Sequence, residues 1–475
     1  MIVHKFGGTS VGDAGCFANV ADIIVARQKT NDAAPEGTVV IVSAMSGVTS
    51  QLIAGARAAA EGKVAAYREI KAGLSSRHLN VVEGLLNNNL ARLEVGGLVE
   101  DQLHDLERLY RSMAVLGEST VRGYDAVASL GELLSANILA AVLRERGLRA
   151  QAISSTELIV TDDNFGEATP LMEPTRQRLQ ARVKPLVQQG LVPVITGYVA
   201  ATQEGVTTTL GRGGSDYTAA IVGAGLEADA VCIWSDVDGI LTADPNIVPH
   251  AHTLAELSYT EAADLAYFGA DVLHPKTIRP VIQHNIPLHI LNSFNPAHPG
   301  TLIVEKPRPE RELLPAIIST TGLSMIAVSS RDDAWSLQVA ARALQRLSEV
   351  GLDVLMFSQS FSEHSLNLVL RQQDQAHGLK ILRREFENGR RGRLCDLETR
   401  EQVATISVVG LPEWNGMPTA AAGVVSHAFS ALGKHGTRVI AVAQAATAHS
   451  VSFCIPENQV ADTVRFLHKE LGLEK

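Results

Sequence analysis

The sequence predicts an α/β protein in two parts, a doubly wound, mainly parallel sheet followed by two smaller β-α-β-β-α-β units. Three observations support this fold class. Continuous apolar runs alternate with helical patterns as far as Val304, as expected for a sheet that is buried on both faces. Residues 305–315 (EKPRPERELLP) are rich in proline and charge, which indicates a linker. Beyond this linker, a set of residues recurs at a fixed offset, which indicates a duplicated unit.

The composition narrows the classes of function. A chain of 475 residues, 46% of them hydrophobic, has room for two or three domains with ample cores. The net charge of −10 argues against a nucleic-acid partner. The four cysteines, Cys16, Cys232, Cys395 and Cys454, form no C-x-x-C pair, which is typical of reduced thiols in a cytoplasmic protein. Met1 leads directly into the first strand and no apolar run is long enough to span a bilayer, so neither a signal peptide nor a membrane segment is expected.

The first element is a short strand that ends in Gly7 and Gly8. Adjacent glycines let the backbone approach a bulky anion, and a strand–glycine–helix turn aims free N–H groups at that anion. Lys5 adds a full positive charge beside them. On these residues alone, a phosphate-binding loop and a plain tight turn are about equally supported.

The following elements continue the alternation of helices and strands. Residues 14–28 have helical periodicity, and residues 37–43 (GTVVIVS) form a buried strand. This strand ends in residues 44–49 (AMSGVT), where the ligand-binding loops of open α/β sheets lie. Residues 51–122 are mostly helical and show little obvious chemistry, and a further helix carries residues 129–135 (SLGELLS). Later strands are predicted at residues 192–196, 231–234 and 287–291.

A second glycine-rich stretch, residues 209–217 (TLGRGGSDY), precedes another helical pattern. Arg212 can bind a carboxylate with two parallel hydrogen bonds, and Asp216 can either orient a lysine or reach a metal through water. Alone the motif is weak, because Ser215 or Asp216 would also serve as a helix cap. Two such turns in one domain nevertheless favour an anion-binding site.

The predicted strand at 231–234 ends in a stretch that contains Asp236, Asp238 and Asp244. A nucleotide pocket at the carboxyl end of a strand and a series of β-turns both fit this stretch, and for Asp238-Gly239 the turn is favoured. The sequence contains no G-x-x-x-x-G-K-[ST], H-E-x-x-H or G-x-S-x-G motif. It also lacks a strand-borne G-x-G-x-x-G with an acidic partner, so a dinucleotide-dependent dehydrogenase is not supported.

The internal repeat lies in the C-terminal part, and its members are offset by the same 85 positions (424 − 339, 436 − 351 and 449 − 364). Both copies are predicted as helix, glycine turn, strand, polar turn and strand, the middle of a β-α-β-β-α-β unit. Val339, Leu347, Gly351, Gln359, His364 and Ser365 recur as Val424, Leu432, Gly436, Gln444, His449 and Ser450.

Six ordered motifs together resemble the aspartokinases of the amino acid kinase family, and the C-terminal repeat resembles their paired ACT domains. The motifs are residues 5–10 (KFGGTS), 42–49 (VSAMSGVT), 129–135 (SLGELLS), 209–217 (TLGRGGSDY), 233–245 (IWSDVDGILTADP) and 267–277 (YFGADVLHPKT). The resemblance covers essentially the whole chain. It implies a kinase domain at 1–304, a linker at 305–315 and ACT-like domains at 316–399 and 400–475. In this family one ACT unit is inserted in the other, so the boundary between the two ACT-like domains is approximate.

The resemblance implies transfer of a phosphoryl group from ATP to the side-chain carboxylate of L-aspartate, giving 4-phospho-L-aspartate. This would be the first step of the pathway to lysine, threonine and methionine, with an amino-acid effector such as lysine or threonine on the ACT domains. Mg²⁺ is expected to ride on the ATP phosphates with several waters, since no carboxylate cage for a metal is visible. ACT-type sheets also imply a homodimer or a larger homo-oligomer.

The same resemblance implies a role for each motif residue. Lys5 would contact the transferring phosphoryl group, with Asp216 holding the lysine in place. Arg212 would bind the α-carboxylate of aspartate, and Glu132 would bind its ammonium group. The amino-acid pocket would be completed by Ser43, Thr49, Gly213 and Ser215. The phosphates and the nucleotide would be bordered by Gly7, Gly8, Ser10, Ser235, Asp236, Leu241 and Asn246. The effector loop would include Met417, Gly423, Val424 and Gln444.

Some positions depart from the common pattern of the family. Leu241, Asn246 and Asp271 stand where tyrosine, arginine and lysine are common, so two cations near the nucleotide are missing. The first repeat, at residues 330–337 (SRDDAWSL), lacks the glycine that precedes the helix in the second repeat. Two alternative functions are therefore retained in addition to aspartate kinase. One is a kinase of another amino acid on the same fold, and the other is a catalytically weak amino-acid sensor.

Overall fold

The structure, a computed structural model, describes residues 1–29, 37–267, 273–308, 315–329, 337–360, 364–386, 395–409, 420–444 and 450–474. The chain forms two compact units. Unit 1 comprises Met1–Ile240, Ala255–Ala263 and Asp271–Pro309. Unit 2 comprises Leu241–Leu254, Asp264–Ala270 and Glu310–Lys475.

An eight-stranded, mainly parallel sheet organises unit 1. Its strand order is β3-β5-β2-β1-β8-β10-β11-β9, and β10 with β11 is its antiparallel pair. A second sheet has the order β4-β6-β7. The strands are β1 (Ile2–Phe6), β2 (Thr38–Val42), β3 (Ala150–Ile153), β4 (Val160–Thr161), β5 (Val192–Thr196), β6 (Val199–Thr202), β7 (Thr207–Thr209), β8 (Ala230–Ser235), β9 (Glu256–Ser258), β10 (Leu288–Asn292) and β11 (Thr301–Val304).

Helices cover the sheet of unit 1. All five residues of β2 and of β5 are buried, which explains their continuous apolar sequences. The helices up to residue 283 are α1 (Ala14–Lys29), α2 (Val48–Ala60), α3 (Val64–Leu85), α4 (Asn89–Leu116), α5 (Val121–Glu145), α6 (Met172–Gln188), α7 (Gly214–Leu226), α8 (Tyr259–Tyr267) and α9 (Pro275–Gln283). The doubly wound, mainly parallel sheet predicted from the sequence is thereby confirmed.

Helix α5 corrects one expectation. Among the described residues, it is long and apolar enough to cross a membrane by length and composition, although the sequence suggested no such run. About three quarters of its apolar window, 72%, is buried within the protein. Its apolar residues, including Leu134, Ile138 and Leu139, belong to the main core of unit 1. Burial against other elements therefore accounts for its composition.

Strand register places several loops at one edge of the sheet. Phe6 of β1 pairs with Val42 of β2 and with Trp234 of β8, so the three strands end side by side. The backbone N–H of Gly7 then donates to the Trp234 carbonyl at 3.3 Å, and Ser43 N–H donates to the Phe6 carbonyl at 3.1 Å. The carboxyl ends of parallel strands are where open α/β sheets bind their ligands.

Unit 2 contains a six-stranded antiparallel sheet with the order β13-β14-β12-β15-β17-β16. Its strands are β12 (Ala316–Ser329), β13 (Met356–Ser360), β14 (Ser365–Arg371), β15 (Asp396–Val409), β16 (Ala441–Gln444) and β17 (Ser450–Pro456). Its helices are α10 (Leu337–Ser348), α11 (Gln375–Phe386), α12 (Ala420–Lys434) and α13 (Val460–Glu470). Strands β12 and β15 are 14 residues each and pair along their length, so both halves of the sheet share them.

The duplication is visible in the elements of unit 2. Helix α10, a turn at Gly351 and strands β13 and β14 correspond to helix α12, a turn at Gly436 and strands β16 and β17. Both turn glycines have left-handed backbones, with φ of 71° and 66°, which explains why the repeat has glycine there. The linear boundary expected at residues 399/400 lies inside β15, in keeping with interleaved units.

Candidate active site

A cavity of about 610 Å³ opens at the strand ends of unit 1. Its walls come from the loops after β1 and β2, from α5, and from the start of α7. The lining residues are Lys5, Gly8, Ser43, Ala44, Met45, Ser46, Gly47, Thr49, Glu132, Gly166, Glu167, Tyr198, Gly211, Arg212, Gly213, Gly214, Ser215 and Asp216. The lining includes Asp216 and all the residues predicted for the amino-acid pocket, and, of those predicted for the phosphates and the nucleotide, Lys5 and Gly8.

Lys5 and Asp216 form an ion pair in this cavity, with 2.5 Å between Nζ and Oδ1. Only 10% of the lysine side chain and 16% of the aspartate side chain are exposed. A Cβ added to Gly7 would lie 3.4 Å from the same Nζ, so the ammonium lies against the glycine loop. The carboxylate orients the ammonium, which keeps further N–H donors for an anion.

Two helices begin at the cavity. Gly47 (φ 78°) precedes α2, Gly213 (φ 67°) precedes α7, and among the described residues no side chain caps either helix. The first N–H groups of a helix point out of its end and carry partial positive charge. At Gly213 the space is restricted as well, since a Cβ would lie 2.5 Å from His274 Cβ. Two uncapped helix ends and Lys5 suit the phosphates of a nucleotide.

Glu132 presents a buried carboxyl group to the cavity. It is 3% exposed, and its Oε1 accepts the Ala44 N–H at 3.2 Å. Its Oε2 has no hydrogen-bond partner among the described residues. Burial raises the pKa of Glu132 to about 8. A buried carboxyl with a free oxygen is costly unless a donor or cation arrives, so it suits a ligand ammonium group.

Arg212 lies on the opposite glycine-rich loop and is exposed. Within the described part of the chain, no carboxylate forms an ion pair with its guanidinium, which is consistent with a ligand carboxylate as partner. Four further predicted pocket residues also line the cavity: Ser43, Thr49, Gly213 and Ser215.

The residues predicted to border the phosphates and the nucleotide lie in different surroundings. Ser235 is the last residue of β8 and Asp236 follows it, and Ser235 Oγ donates to Asp236 Oδ1 at 3.1 Å. Ser10 was expected to line the phosphates, but it is 1% exposed and is absent from the cavity wall. Its hydroxyl instead lies 2.8 Å from that of Ser293, which donates to the Ser235 carbonyl. In this structure Ser10 therefore joins the glycine loop to its neighbours.

Leu241 and Asn246 belong to unit 2, whereas the cavity residues belong to unit 1. Leu241 forms a bridge with Thr253. The Asn246 side chain donates to Asp244 Oδ1 at 3.0 Å and closes its own turn. Neither residue lines the cavity, so their nucleotide role stays a prediction. Asp271 lies outside the described residues.

The predicted effector residues lie in unit 2. Gly423 and Val424 are in α12, Gln444 ends β16, and Met417 lies outside the described residues. Gln444 lines a second cavity, of about 400 Å³, over the sheet. Residues 330–336, where the first repeat lacks its glycine, also lie outside the described residues.

Asp238, for which the sequence favours a turn, and His274 both have structural contacts. His274 caps α9, because its Nδ1 accepts the Lys276 N–H at 3.2 Å. Asp238 Oδ1 accepts hydrogen bonds from Asn292 at 2.8 Å and Asn295 at 3.0 Å. These contacts give both residues a structural role.

Sequence reasoning missed two residues, one that lines the cavity and one that supports its wall. Tyr198 lines it with a left-handed backbone (φ 64°), which is strained for an aromatic residue. Asp125 is 3% exposed, and its Oδ2 accepts the Gly166 N–H at 2.9 Å while its Oδ1 accepts the Thr209 hydroxyl at 2.7 Å. It thereby ties two wall segments to α5. Its position seven residues before Glu132, on the same helical face, was the available signal.

Comparison with known proteins agrees with this geometry. A model of the amino acid kinase family matches residues 1–292, and a model of the ACT domain matches residues 406–471. The chain is 32% identical over 480 residues to the chloroplastic bifunctional aspartokinase/homoserine dehydrogenase 2 of Arabidopsis thaliana, covering 100% of this chain and 51% of that protein. It is 30% identical over 473 residues to the chloroplastic aspartokinase 1 of the same plant, covering 98% and 79%. The chain thus spans about half the length of several curated relatives that it matches.

Solved structures show the same likeness. E. coli aspartokinase III in complex with aspartate and ADP (R-state) has a TM-score of 0.82 and 28% identity, covering 99% of this chain and 100% of that one. The same enzyme in complex with lysine and aspartate (T-state) has a TM-score of 0.78, with 28% identity and 99% of each chain covered. The chain therefore belongs to the amino acid kinase family, and its relatives within that family are aspartokinases.

Proposed function

We propose that this chain is an aspartate kinase, which transfers the γ-phosphoryl group of ATP to the side-chain carboxylate of L-aspartate. The observation that carries the proposal is the cavity in unit 1. It combines the Lys5–Asp216 pair and two uncapped helix ends with Glu132 and Arg212, one group for each charge of an amino acid. The likeness to E. coli aspartokinase III, solved with aspartate and ADP, supports the same assignment.

The chemistry needs positioning more than proton transfer. A free aspartate side chain has a pKa near 4, so its carboxylate is already ionised at neutral pH and needs no general base. One carboxylate oxygen attacks the γ-phosphorus and forms the new O–P bond. The bond from that phosphorus to the β–γ bridging oxygen breaks, and ADP leaves with its electron pair. The remaining task is to bring two anions together and stabilise the negative charge on the transferring group.

The residues of the cavity suit these two tasks, positioning the substrates and stabilising the negative charge. Lys5 and the N–H groups at the start of α7 stabilise the transferring phosphoryl group, with Asp216 orienting the lysine. Arg212 binds the α-carboxylate and Glu132 binds the ammonium group of aspartate. Mg²⁺ bound with the ATP phosphates would neutralise part of their charge.

An ADP-release assay across amino acids tests the proposal. The wild-type chain is expected to release ADP with aspartate and much less with glutamate, because an extra methylene group displaces the side-chain carboxylate from its alignment with the γ-phosphate. Lys5→Ala is the control for turnover that does not depend on the site. Turnover with aspartate no higher than in Lys5→Ala refutes the proposal, and turnover with another amino acid alone favours a kinase of that acceptor.

Unit 2 suggests regulation by an amino acid. The ACT model at residues 406–471, and the E. coli enzyme solved with lysine, support an amino-acid effector, with lysine as the first candidate and threonine as the second to be tested. We place its contacts near Met417, Gly423, Val424 and Gln444, in a cytoplasmic homodimer or larger homo-oligomer. Repeating the assay with lysine, with threonine and with both identifies the effector. Light scattering determines the oligomeric state.

A further inference from the structure

Helix α3 carries an arginine that contacts the active-site loops. Arg77 is half-buried and lies in the stretch where the sequence predicts helices without obvious chemistry. Its Nη1 donates to the Ser46 carbonyl at 2.8 Å, and its Nη2 donates to the Gly12 carbonyl at 2.9 Å. One guanidinium group therefore holds two backbone segments that are 34 residues apart (46 − 12).

These two segments are different walls of the same cavity. Gly12 ends the short turn Thr9–Val11, which follows Gly7 and Gly8. We define residues 7–12 as the phosphate loop. Ser46 belongs to the loop after β2, residues 43–47, which we define as the acceptor loop. The two loops also touch directly, because the Ser46 N–H donates to the Gly8 carbonyl at 3.1 Å. Arg77 adds a second tie between them.

We propose that Arg77 is a positioning residue that sets the spacing between the phosphate loop and the acceptor loop, and so aligns the γ-phosphate with the aspartate carboxylate. This inference rests on the proposed function, which gives each loop its substrate. Arg77 itself donates to backbone carbonyls and not to substrate.

The geometry explains why an arginine is required. The planar guanidinium presents its donors in a rigid fork, so it reaches both carbonyls at once and fixes the distance between them. A lysine at this position has a single flexible ammonium group, which can hold one carbonyl well but does not impose the spacing.

A spacing role predicts a specific kinetic effect. Each loop keeps its own contacts to one substrate when Arg77 is replaced, so the KM values for ATP and aspartate change little. The two reacting groups lose their alignment, and a displacement of about 1 Å can lower a rate about 100-fold. The loss therefore falls on kcat.

The test compares Arg77→Lys and Arg77→Met with Arg68→Met, a control at an exposed arginine of the same helix. We expect kcat to fall roughly 10- to 100-fold in Arg77→Met, less in Arg77→Lys, and not in the control, with KM values within about threefold. Unchanged kcat in both Arg77 variants, or a loss confined to KM, overturns the inference.

Hydrogen exchange provides a readout that does not depend on turnover. Amides of residues 7–12 and 43–47 are expected to exchange faster in the Arg77 variants, while the core strands keep their protection. If Arg77→Met fails to fold, Arg77→Lys carries the same test. A wild-type chain without aspartate-dependent ADP release refutes the proposed function, whereas unchanged exchange in the two loops refutes the spacing role.

Discussion

Replacing Glu132 by glutamine removes a buried carboxyl group whose ionisation the fold opposes. Burial raises the pKa of Glu132 from 4.5 to about 8. This change in pKa corresponds to about 5 kcal/mol between the protonated and charged forms. Glutamine keeps an oxygen for the Ala44 N–H but carries no charge at any pH.

The sign of the pH dependence follows from the direction of this shift. Below pH 4.5 the group is protonated in both the folded and the unfolded chain, so its contribution to stability is fully present. Between pH 4.5 and 8 the unfolded chain loses the proton while the folded chain retains it, and the free energy of unfolding falls with rising pH. Chemical denaturation at several pH values should show that Glu132→Gln lacks this fall, with up to about 5 kcal/mol of difference developing between the two proteins.

Substrate binding should reverse the effect. An aspartate ammonium group beside Glu132 favours the carboxylate and lowers its pKa, so binding at pH 7 should release roughly 0.9 proton. Titration calorimetry in two buffers of different ionisation enthalpy measures that release. In Glu132→Gln the release should vanish and aspartate should bind at least tenfold more weakly.

Two results would refute this reasoning. One is a difference in stability between the two proteins that does not change with pH. The other is equal affinity for aspartate in both proteins, which would place the ammonium group elsewhere. Ser135→Ala, on the same buried helix, is the control for a general loss of packing in α5.

The remaining predictions concern the site and the core. Lys5→Met should abolish turnover in single-turnover kinetics, because the charge of Lys5 acts on the transferring group. Calorimetry should show ADP affinity lowered by no more than about tenfold, and substantial turnover would contradict this prediction. Arg212→Lys should raise the KM for aspartate about tenfold at unchanged melting temperature, since one ammonium cannot bind a carboxylate with two parallel hydrogen bonds; an unchanged KM would place the α-carboxylate elsewhere. Gly55→Ala should lower the free energy of unfolding, measured by chemical denaturation, by about 1–3 kcal/mol, because the new Cβ would overlap the Tyr110 hydroxyl. Gly97→Ala, in open space on α4, should be neutral or stabilising. Equal effects of the two substitutions would refute the packing argument.

Much of unit 1 follows directly from local sequence patterns. The apolar runs of β2 and β5 are buried on both faces, as their continuous apolar sequences predict. Glycines with left-handed backbones at Gly47 and Gly213 precede α2 and α7, so the motifs themselves locate the anion site. These features are short-range, which is why the sequence reveals them.

The features that the sequence did not reveal depend on long-range packing. Ser10 faces Ser293, which is 283 residues away, so the local motif could not show that its hydroxyl is already occupied. Arg77 acts on carbonyl groups, which leave no trace in side-chain patterns. Leu241 and Asn246 follow a strand of unit 1 but fold into unit 2.

The most direct test of the aspartate kinase assignment identifies the product itself. An acyl phosphate reacts with hydroxylamine to give a hydroxamate and inorganic phosphate, and mass spectrometry then identifies the hydroxamate. The structure predicts one aspartyl hydroxamate for each ADP released by the wild-type chain with ATP, Mg²⁺ and aspartate, and none from Lys5→Ala. Release of ADP without aspartyl hydroxamate would contradict the assignment.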